Sequence, residues 1–252
     1  MYHELGLPGR DTCRPEAGYV RYVVPESDFG QQMKLLAVEG WRGQDVTQSI
    51  ASFGQKTVCI TFDDGCETDL ISAAPLLNEL GFRATSYITV DYLNKRGYLS
   101  HAQVRELRAA GFEIGCHSLT HPYLTDIHDV RLRDETAGAK DRLEQIAGTR
   151  VDHFSCPGGR WNTHVQRTVK EAGFRTMATS RTGINFAATD PFSLTRVTIL
   201  NGMGSDAVFR MCQGKGLMGI QMKERARDTV RRVFGNRVYD SLRGLIVREK
   251  LR

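Results

Sequence analysis

A repeated alternation of apolar runs, amphipathic stretches and glycines dominates the chain from Lys56 onward. Runs typical of short buried strands occur at residues 57–62, 84–90, 112–116, 151–156, 174–180 and 196–200. Most are separated by helical patterns that a glycine closes, such as the stretch from Leu70 to Leu80 ahead of Gly81. This succession predicts a mainly parallel sheet with helices outside it.

Further helical patterns occupy residues 100–111, 130–146 and 164–172. In the first, Ser100 and Gln103 form a capping box ahead of the apolar positions. A chain of 252 residues is long enough for one α/β barrel or doubly wound domain. In such folds the chemistry gathers where strands end and loops begin, so those positions are where functional residues are expected.

The basic charge of the chain is concentrated at its C-terminal end. Residues 216–252 carry ten Lys and Arg against four Asp and Glu, a charge of +6, whereas the whole chain has a formal charge of +5. The remainder at 1–215 therefore balances at −1, which argues against nucleic acid as a partner. We divide the chain into a catalytic domain at 1–215 and a basic amphipathic helical extension at 216–252. The extension either packs on the domain or lies on an anionic membrane surface.

The apolar content bears on localisation. No stretch approaches the ~20 apolar residues that a membrane span needs, and the first residues lack the basic and apolar regions of a signal peptide. We expect a cytoplasmic protein, or one peripheral to the inner face of the membrane, with export only if the native start lies upstream. Six cysteines without a CxxC pair are typical of reduced core residues.

Two adjacent aspartates follow the first of these strands directly, in the stretch TFDDG. Neighbouring buried carboxylates are costly unless they are paired or bind a metal. Consecutive side chains on an extended backbone point in different directions, so Asp63 and Asp64 can hold different roles. A turn with a helix N-cap is the alternative, because Asp-Gly is common in turns.

Two histidines, His117 and His121, follow a later strand, four residues apart. On one helical turn this spacing places both imidazoles on one face, as metal ligation requires. The alternative is a pair of surface or capping histidines. Two histidines and an acidic pair at strand ends of one sheet favour a catalytic divalent metal, because two imidazoles and one carboxylate leave coordination positions open. We expect zinc first, with cobalt, nickel or iron as alternatives.

A tight loop follows another strand in the stretch FSCPGG, although a plain turn fits the same residues. TFDDG, HSLTH and FSCPGG, in that order and at strand ends, resemble the first three motifs of the polysaccharide deacetylases, the family-4 carbohydrate esterases of NodB homology. The resemblance covers roughly residues 1–200. It implies a distorted (β/α) barrel and a metal-dependent hydrolase that removes N-acetyl groups from amino sugars of a polysaccharide, oligosaccharide or lipid-linked glycan.

The same resemblance implies a role for each motif residue. Asp63 is the general base, whereas Asp64, His117 and His121 hold the metal. A divalent metal lowers the pKa of its bound water toward ~7 and polarises the acetamide carbonyl. A backbone N–H, that of Gly158, then helps to hold the oxyanion.

The general acid is expected at His3. The family usually supplies this acid from a late L-x-H motif, but no histidine follows His164. In a circularly permuted branch that resembles the poly-N-acetylglucosamine deacetylases, a strand ending in M-Y-H or L-Y-H precedes TFDDG, and MYHELG looks like this element. The alternative is a disordered terminal histidine.

Two family motifs are altered in this chain. The arginine that usually orients the base is replaced by Ser155 and Cys156 at the aligned positions. Arg160 can reach back into that role or lie exposed in its loop. The D-x-x-D-W motif is unrecognisable, and Asp190 or Arg196 can stand in for it by charge.

The loop after FSC supplies the candidate substrate-binding residues, namely Pro157, Gly158, Arg160 and Trp161. Trp161 either stacks on a sugar ring or belongs to the core.

Two other functions remain open. A degenerate family member would bind carbohydrate without turnover, as the altered motifs indicate, although the intact carboxylate pair argues against it. A non-haem iron oxygenase uses the same ligand triad, but the parallel α/β pattern disfavours it.

Overall fold

The computed structural model describes residues 1–54, 56–226 and 229 of the chain. In this part of the chain the strands are β1 (Glu4–Gly6), β2 (Val23–Pro25), β3 (Arg42–Gln44), β4 (Thr57–Cys59), β5 (Thr61–Asp64), β6 (Thr85–Ile88), β7 (Glu113–Cys116), β8 (His153–Ser155) and β9 (Thr176–Ala178). Strands β5 to β9 form one sheet in sequential order, and every neighbouring pair is parallel. Strands β5, β6, β8 and β9 are buried along their whole length, as expected of a parallel sheet covered on both faces. The predicted α/β barrel with parallel strands is confirmed.

The helices of the described residues are α1 (Glu26–Val38), α2 (Val46–Ala51), α3 (Ala74–Glu79), α4 (His101–Ala109), α5 (Asp129–Arg133), α6 (Ala139–Ala147), α7 (Thr163–Glu171) and α8 (Ser205–Cys212). Helices α3 to α7 lie between consecutive strands of this sheet, whereas α1 and α2 precede β5 and α8 follows β9. Ser100 and Gln103 form the predicted capping box at the start of α4. Gly148 ends α6 in the left-handed conformation, with a φ of 64°. Short π-helical turns at Asp69–Ala73 and Asp134–Gly138 precede α3 and α6 and divide two of the predicted helices.

The first residues of the chain pair with β5. The backbone N–H of Tyr2 donates to the carbonyl of Thr61 (2.8 Å), and the N–H of Asp63 donates to the carbonyl of Tyr2 (3.0 Å). The rings of Tyr2 and Phe62 stack with their centroids 5.6 Å apart. The start of the chain is therefore held as a further parallel neighbour of the sheet.

The opposite edge of the sheet is continued by residues 194–199. The N–H of Thr179 donates to the carbonyl of Leu194 (2.9 Å), and the N–H of Ile199 donates to the carbonyl of Met1 (2.9 Å). This segment thereby connects β9 to the N-terminal residues and curls the sheet toward a barrel. The prediction of a strand at 196–200 is wrong, because the hydrogen bonds of the segment pass from one neighbour to another instead of forming a ladder with either.

The single strand predicted at 57–62 is divided at Ile60. Strand β4 pairs with β3, whereas β5 pairs with β6. The N–H of Ile60 donates to Gln44, and its carbonyl accepts from Thr85, each at 3.0 Å. The backbone therefore changes its hydrogen-bonding partner at this residue, and only the second half of the predicted strand belongs to the main sheet.

The first described turns of the predicted extension at 216–252 pack on the domain. Residues 217–226 are helical, and Leu217 is buried. The carboxylate of Glu224 accepts from the N–H (2.9 Å) and the hydroxyl (2.6 Å) of Thr182. Residues 227, 228 and 230–252, with the predicted membrane-facing surface, lie outside the described residues. Within the described residues, no helix combines the length and the apolarity that crossing a membrane requires.

Candidate active site and metal centre

The predicted acidic pair lies at the end of β5, beside the histidine that follows β7. Asp63, Asp64 and His117 are each 2% exposed. Asp64 has a φ of 83°, a backbone conformation that is uncommon outside glycine and is found most often at functional sites. The carboxyl ends of parallel strands meet at one edge, so residues distant in sequence share one buried pocket.

Asp64, His117 and His121 form a cluster whose ligand atoms all lie within 4.8 Å of one another. The Oδ1 atom of Asp64 lies 3.7 Å from His117 Nε2 and 3.4 Å from His121 Nε2. Within the described part of the chain this buried oxygen has no hydrogen-bond partner. The Nδ1 atom of His117 lies 2.8 Å from the carbonyl of Ser155, an arrangement that directs Nε2 toward the cluster. A free carboxylate oxygen between two imidazoles fits a divalent cation.

The segment from His117 to His121 is not the helical turn that the spacing of four predicts. Ser118 and His121 have positive φ angles of 67° and 63°. The carboxylate of Glu135 accepts from the N–H groups of Leu119 (3.0 Å) and Thr120 (2.8 Å), and this fixes the irregular backbone. The two imidazoles still converge, with ring centroids 4.9 Å apart.

The protonation states of the cluster suit metal ligation. Burial by itself would raise the pKa of Asp64. The nearby His121, His3 and His117 lower this pKa by a larger amount, so the net shift is downward. Burial and the neighbouring His117 lower the pKa of His121 to about 4. An ionised carboxylate and a neutral imidazole at neutral pH are the forms that bind a cation.

Arg196 is the cation that pairs with Asp63. Its Nη1 donates to Asp63 Oδ1 (2.7 Å) and its Nη2 donates to Oδ2 (2.9 Å), and both side chains are less than a tenth exposed. The hydroxyl of Ser155 accepts from Arg196 Nη2 (2.7 Å) and donates to Asp63 Oδ2 (3.2 Å). Burial by itself would raise the pKa of Asp63. Arg196 and His117 lower this pKa by a larger amount, so it lies well below its usual range. Asp63 is therefore an ionised acceptor in a fixed orientation.

Arg160 and Asp190 do not contact Asp63 in the described part of the chain. The Arg160 guanidinium stacks over the ring of Tyr123 at 3.6 Å, and its Nη1 lies 3.5 Å from Asp126 Oδ2. The Oδ1 atom of Asp190 accepts from the N–H of Phe192 (2.9 Å) and caps a short turn. The suggestion that Arg160 orients the base is thus corrected, because its guanidinium is engaged elsewhere.

His3 lies beside the carboxylate pair. Because Tyr2 is bridged in parallel to Phe62, residue 3 is in register with Asp63. The imidazole packs against the ring of Tyr22, with centroids 4.7 Å apart. Its Nδ1 is buried and has no hydrogen-bond partner among the described residues. Burial lowers the pKa of His3, and the two neighbouring carboxylates act in the opposite direction.

The candidate substrate-binding loop begins at Pro157, two residues after the end of β8. Gly158 has a φ of 59°, and a Cβ at this position would lie 2.6 Å from Tyr123 Cε1. Pro157 is buried, and Trp161 is partly buried against the core with the Arg181 guanidinium 5.0 Å from its ring centroid. Their contact with a substrate remains a prediction.

Two residues that contact the cluster, Arg14 and Tyr92, were not predicted from the sequence. The Nη2 atom of Arg14 lies 3.2 Å from Asp64 Oδ2. The ring of Tyr92 stacks on His121, with centroids 5.9 Å apart. No motif marks either residue. For Arg196, the available signal was a charged residue at the head of an otherwise apolar run.

Several known proteins are similar to this chain in sequence. A family profile described as polysaccharide deacetylase matches residues 51–177, half of the chain. The Bacillus subtilis (strain 168) protein YxkH, provisionally named a polysaccharide deacetylase, is 26% identical over 192 residues, which cover 73% of this chain and 68% of YxkH. A peptidoglycan-N-acetylglucosamine deacetylase of Bacillus cereus is 31% identical over 124 residues, which cover 49% of this chain and 56% of that protein. The chain thus spans about two thirds and just over half of these relatives.

The fold has a close counterpart among solved structures. The Streptococcus pyogenes deacetylase PplD, solved in complex with acetate, superposes with a TM-score of 0.73 at 22% identity. The superposition covers 83% of this chain and 94% of PplD. At this identity the likeness concerns the fold, and the profile match identifies the family. The chain belongs to the polysaccharide deacetylase family.

Proposed function

We propose that the chain is a metal-dependent hydrolase that removes N-acetyl groups from the amino sugars of a glycan. The observation that carries this proposal is the position of the Asp63–Arg196 pair beside the cluster of Asp64, His117 and His121. The name of the related Bacillus cereus protein supports N-acetylglucosamine as the amino sugar. The structure also weakens the case for a degenerate binder, because Arg196 supplies the cation that the altered motif lacks.

Asp64, His117 and His121 would hold a divalent cation, zinc first. Such a cation, when bound, supplies the Lewis acidity that activates water and polarises an amide carbonyl. The Nδ1 contact of His117 with the Ser155 carbonyl fixes the orientation of that ring, and burial limits the access of competing water.

Asp63 and His3 carry the proton transfers in this proposal. Asp63 stays ionised at neutral pH and accepts the proton of the attacking water, while Arg196 prevents its carboxylate from rotating. His3 lies in register beside Asp63 and, in the protonated form that the two carboxylates favour, donates its proton to the amine as the C–N bond breaks. The proton that Asp63 took from water then restores the protonated form of His3. The products are acetate and the free amino sugar.

The proposal is tested by acetate release from N-acetylglucosamine oligomers by wild type, Asp63→Asn and Asp152→Asn. Asp152 pairs with Arg150 and Arg175 at the opposite end of the barrel strands, so its variant is a matched control. We expect Asp63→Asn to keep its bound metal and to lose at least about 100-fold in kcat. The control should match wild type. Full activity of Asp63→Asn would refute the role of the base.

A further inference from the structure

We propose that Arg14 is a positioning residue of the metal centre, which holds one oxygen of Asp64 so that the other oxygen faces the histidine pair. This inference rests on the proposed function, since it presupposes a cation at Asp64, His117 and His121.

The two oxygens of Asp64 are used differently. Oδ2 forms an ion pair with Arg14 Nη2 (3.2 Å). Oδ1 faces the Nε2 atoms of His121 (3.4 Å) and His117 (3.7 Å), and in the described residues it has no hydrogen-bond partner. A carboxylate divided in this way presents a single oxygen to a cation, because its other oxygen already has a counter-charge.

The guanidinium of Arg14 is itself fixed in place. Its Nε donates to the hydroxyl of Tyr98 (2.9 Å). The rings of Tyr19 and Tyr92 lie 5.2 Å and 4.9 Å from its central carbon. The side chain is 24% exposed, so most of its surface is already committed to these contacts. A planar, delocalised cation suits this aromatic setting better than an ammonium group does.

The backbone next to Arg14 is anchored as well. The N–H of Cys13 points at the buried carboxylate of Glu4, 3.0 Å from each oxygen. The thiol of Cys13 lies 2.9 Å from the carbonyl of Gly97. The loop that carries Arg14 is therefore tied to β1 and to the segment after β6, which reduces the freedom of the guanidinium to leave Asp64.

Arg14 is connected to a second ligand through Tyr92. The ring of Tyr92 packs against the Arg14 guanidinium and also stacks on the imidazole of His121, at an interplanar angle of 26°. One aromatic side chain thus contacts both the group that holds Asp64 and the ring of His121. Loss of Arg14 would free the carboxylate directly and loosen the packing of His121.

Two effects of Arg14 on a bound cation have opposite signs. Its positive charge repels the cation, whereas its contact with Oδ2 orients the ligand. We expect orientation to dominate, because Arg14 pairs with Oδ2 and so lies behind the oxygen that faces the histidines, while a buried carboxylate without this partner can rotate away from its productive position. Removal of groups that orient metal ligands typically weakens metal binding by about 10–100-fold.

The test is Co²⁺ binding to the chelator-treated protein, measured by competition with a chromophoric chelator and by the visible absorption of the bound ion. Arg14→Met removes the cation and keeps an apolar stem against Tyr19 and Tyr92. Arg96→Met is the matched control, because Arg96 is 85% exposed and pairs with Asp11 on the surface. We expect the Kd of Arg14→Met to rise about 10–100-fold with an altered cobalt spectrum, and the control to match wild type.

Further readouts separate positioning from structure. At saturating Co²⁺, kcat of Arg14→Met should return most of the way to wild type, since the ligands themselves are intact. Arg14→Lys keeps the charge without the planar fork, so its Kd should lie between those of wild type and Arg14→Met. It carries the test if Arg14→Met does not fold.

Each other outcome has a definite meaning. An unchanged or tighter Kd in the Arg14 variants overturns the positioning role and leaves the proposed function standing. Failure of wild type to bind Co²⁺ overturns both.

Discussion

Replacement of Arg196 by methionine removes one partner of a buried ion pair while keeping an unbranched side chain. In wild type, two hydrogen bonds of 2.7 Å and 2.9 Å join the guanidinium to Asp63, and the side chains are 7% and 3% exposed. In the variant, Asp63 keeps its charge without this counter-charge, and only the hydroxyl of Ser155 still donates to the oxygens that Arg196 held.

The expected cost is large compared with the total stability of a domain. Breaking a buried ion pair by removing one partner typically destabilises by about 3–5 kcal/mol, because an uncompensated charge stays buried. The whole free energy of unfolding of a domain is about 5–15 kcal/mol. With a urea m-value of about 2–3 kcal/mol/M, the midpoint of unfolding should fall by about 1–2.5 M.

The assay is urea unfolding at pH 7 in the presence of a chelator, followed by the fluorescence of the two tryptophans. The double variant Arg196→Met with Asp63→Asn removes the buried charge as well, so we expect it to recover most of the lost stability. Since the pKa of Asp63 is depressed in the folded state, the stabilisation is present above about pH 4 and declines as the pH falls toward the folded value.

Two results would refute this reasoning. A single variant that loses less than about 1 kcal/mol would mean that the pair contributes no more than an exposed one. A double variant as unstable as the single one would mean that the loss comes from packing of the arginine and not from an unpaired carboxylate.

Three further predictions concern other parts of the domain. Burial by itself would raise the pKa of Glu113, but the contacts with His153 and neighbouring hydroxyls lower this pKa by a larger amount, to about 2. Glu113→Gln should therefore lose up to about 3 kcal/mol at pH 7, and its difference from wild type in urea unfolding should shrink as the pH falls from 4 toward 2; a constant difference would contradict this. Gly158→Ala should displace Tyr123, because the new Cβ would lie 2.6 Å from that ring, and we expect a higher KM for glycan oligomers, with an unchanged KM as the contrary result. His3→Gln should lower kcat about 100-fold or more and leave the metal content intact, as elemental analysis of the same sample would show; an equal kcat would reject His3 as the acid.

The spacing of apolar residues predicted the parallel sheet and its helices because it reflects which side chains are buried. The predicted helix at 164–172 corresponds to Thr163–Glu171, and the capping box at Ser100 is present. Periodicity failed where hydrogen-bond partners change. The run at 57–62 reads as one strand, but Ile60 bonds to Gln44 on one side and to Thr85 on the other.

The cluster of Asp64, His117 and His121 could be predicted because its residues follow strands whose ends must meet. The local backbone structure predicted for His117 and His121 is wrong, because residues with positive φ angles bring the two rings together and a helical turn does not. Arg196 could not be chosen over Arg160 from the sequence. That choice depends on residues 194–199 closing against the N-terminal residues, a long-range contact that local pattern does not encode.

Metal removal and restoration, followed through acetate release from N-acetylglucosamine oligomers, tests whether the chain is a metal-dependent deacetylase. Protein freed of metal by a chelator, with its metal content checked by elemental analysis, should release no acetate. Addition of one equivalent of zinc, or of cobalt, should restore release in wild type and not in Asp64→Asn. Undiminished acetate release from demonstrably metal-free protein would contradict the role of Asp64, His117 and His121.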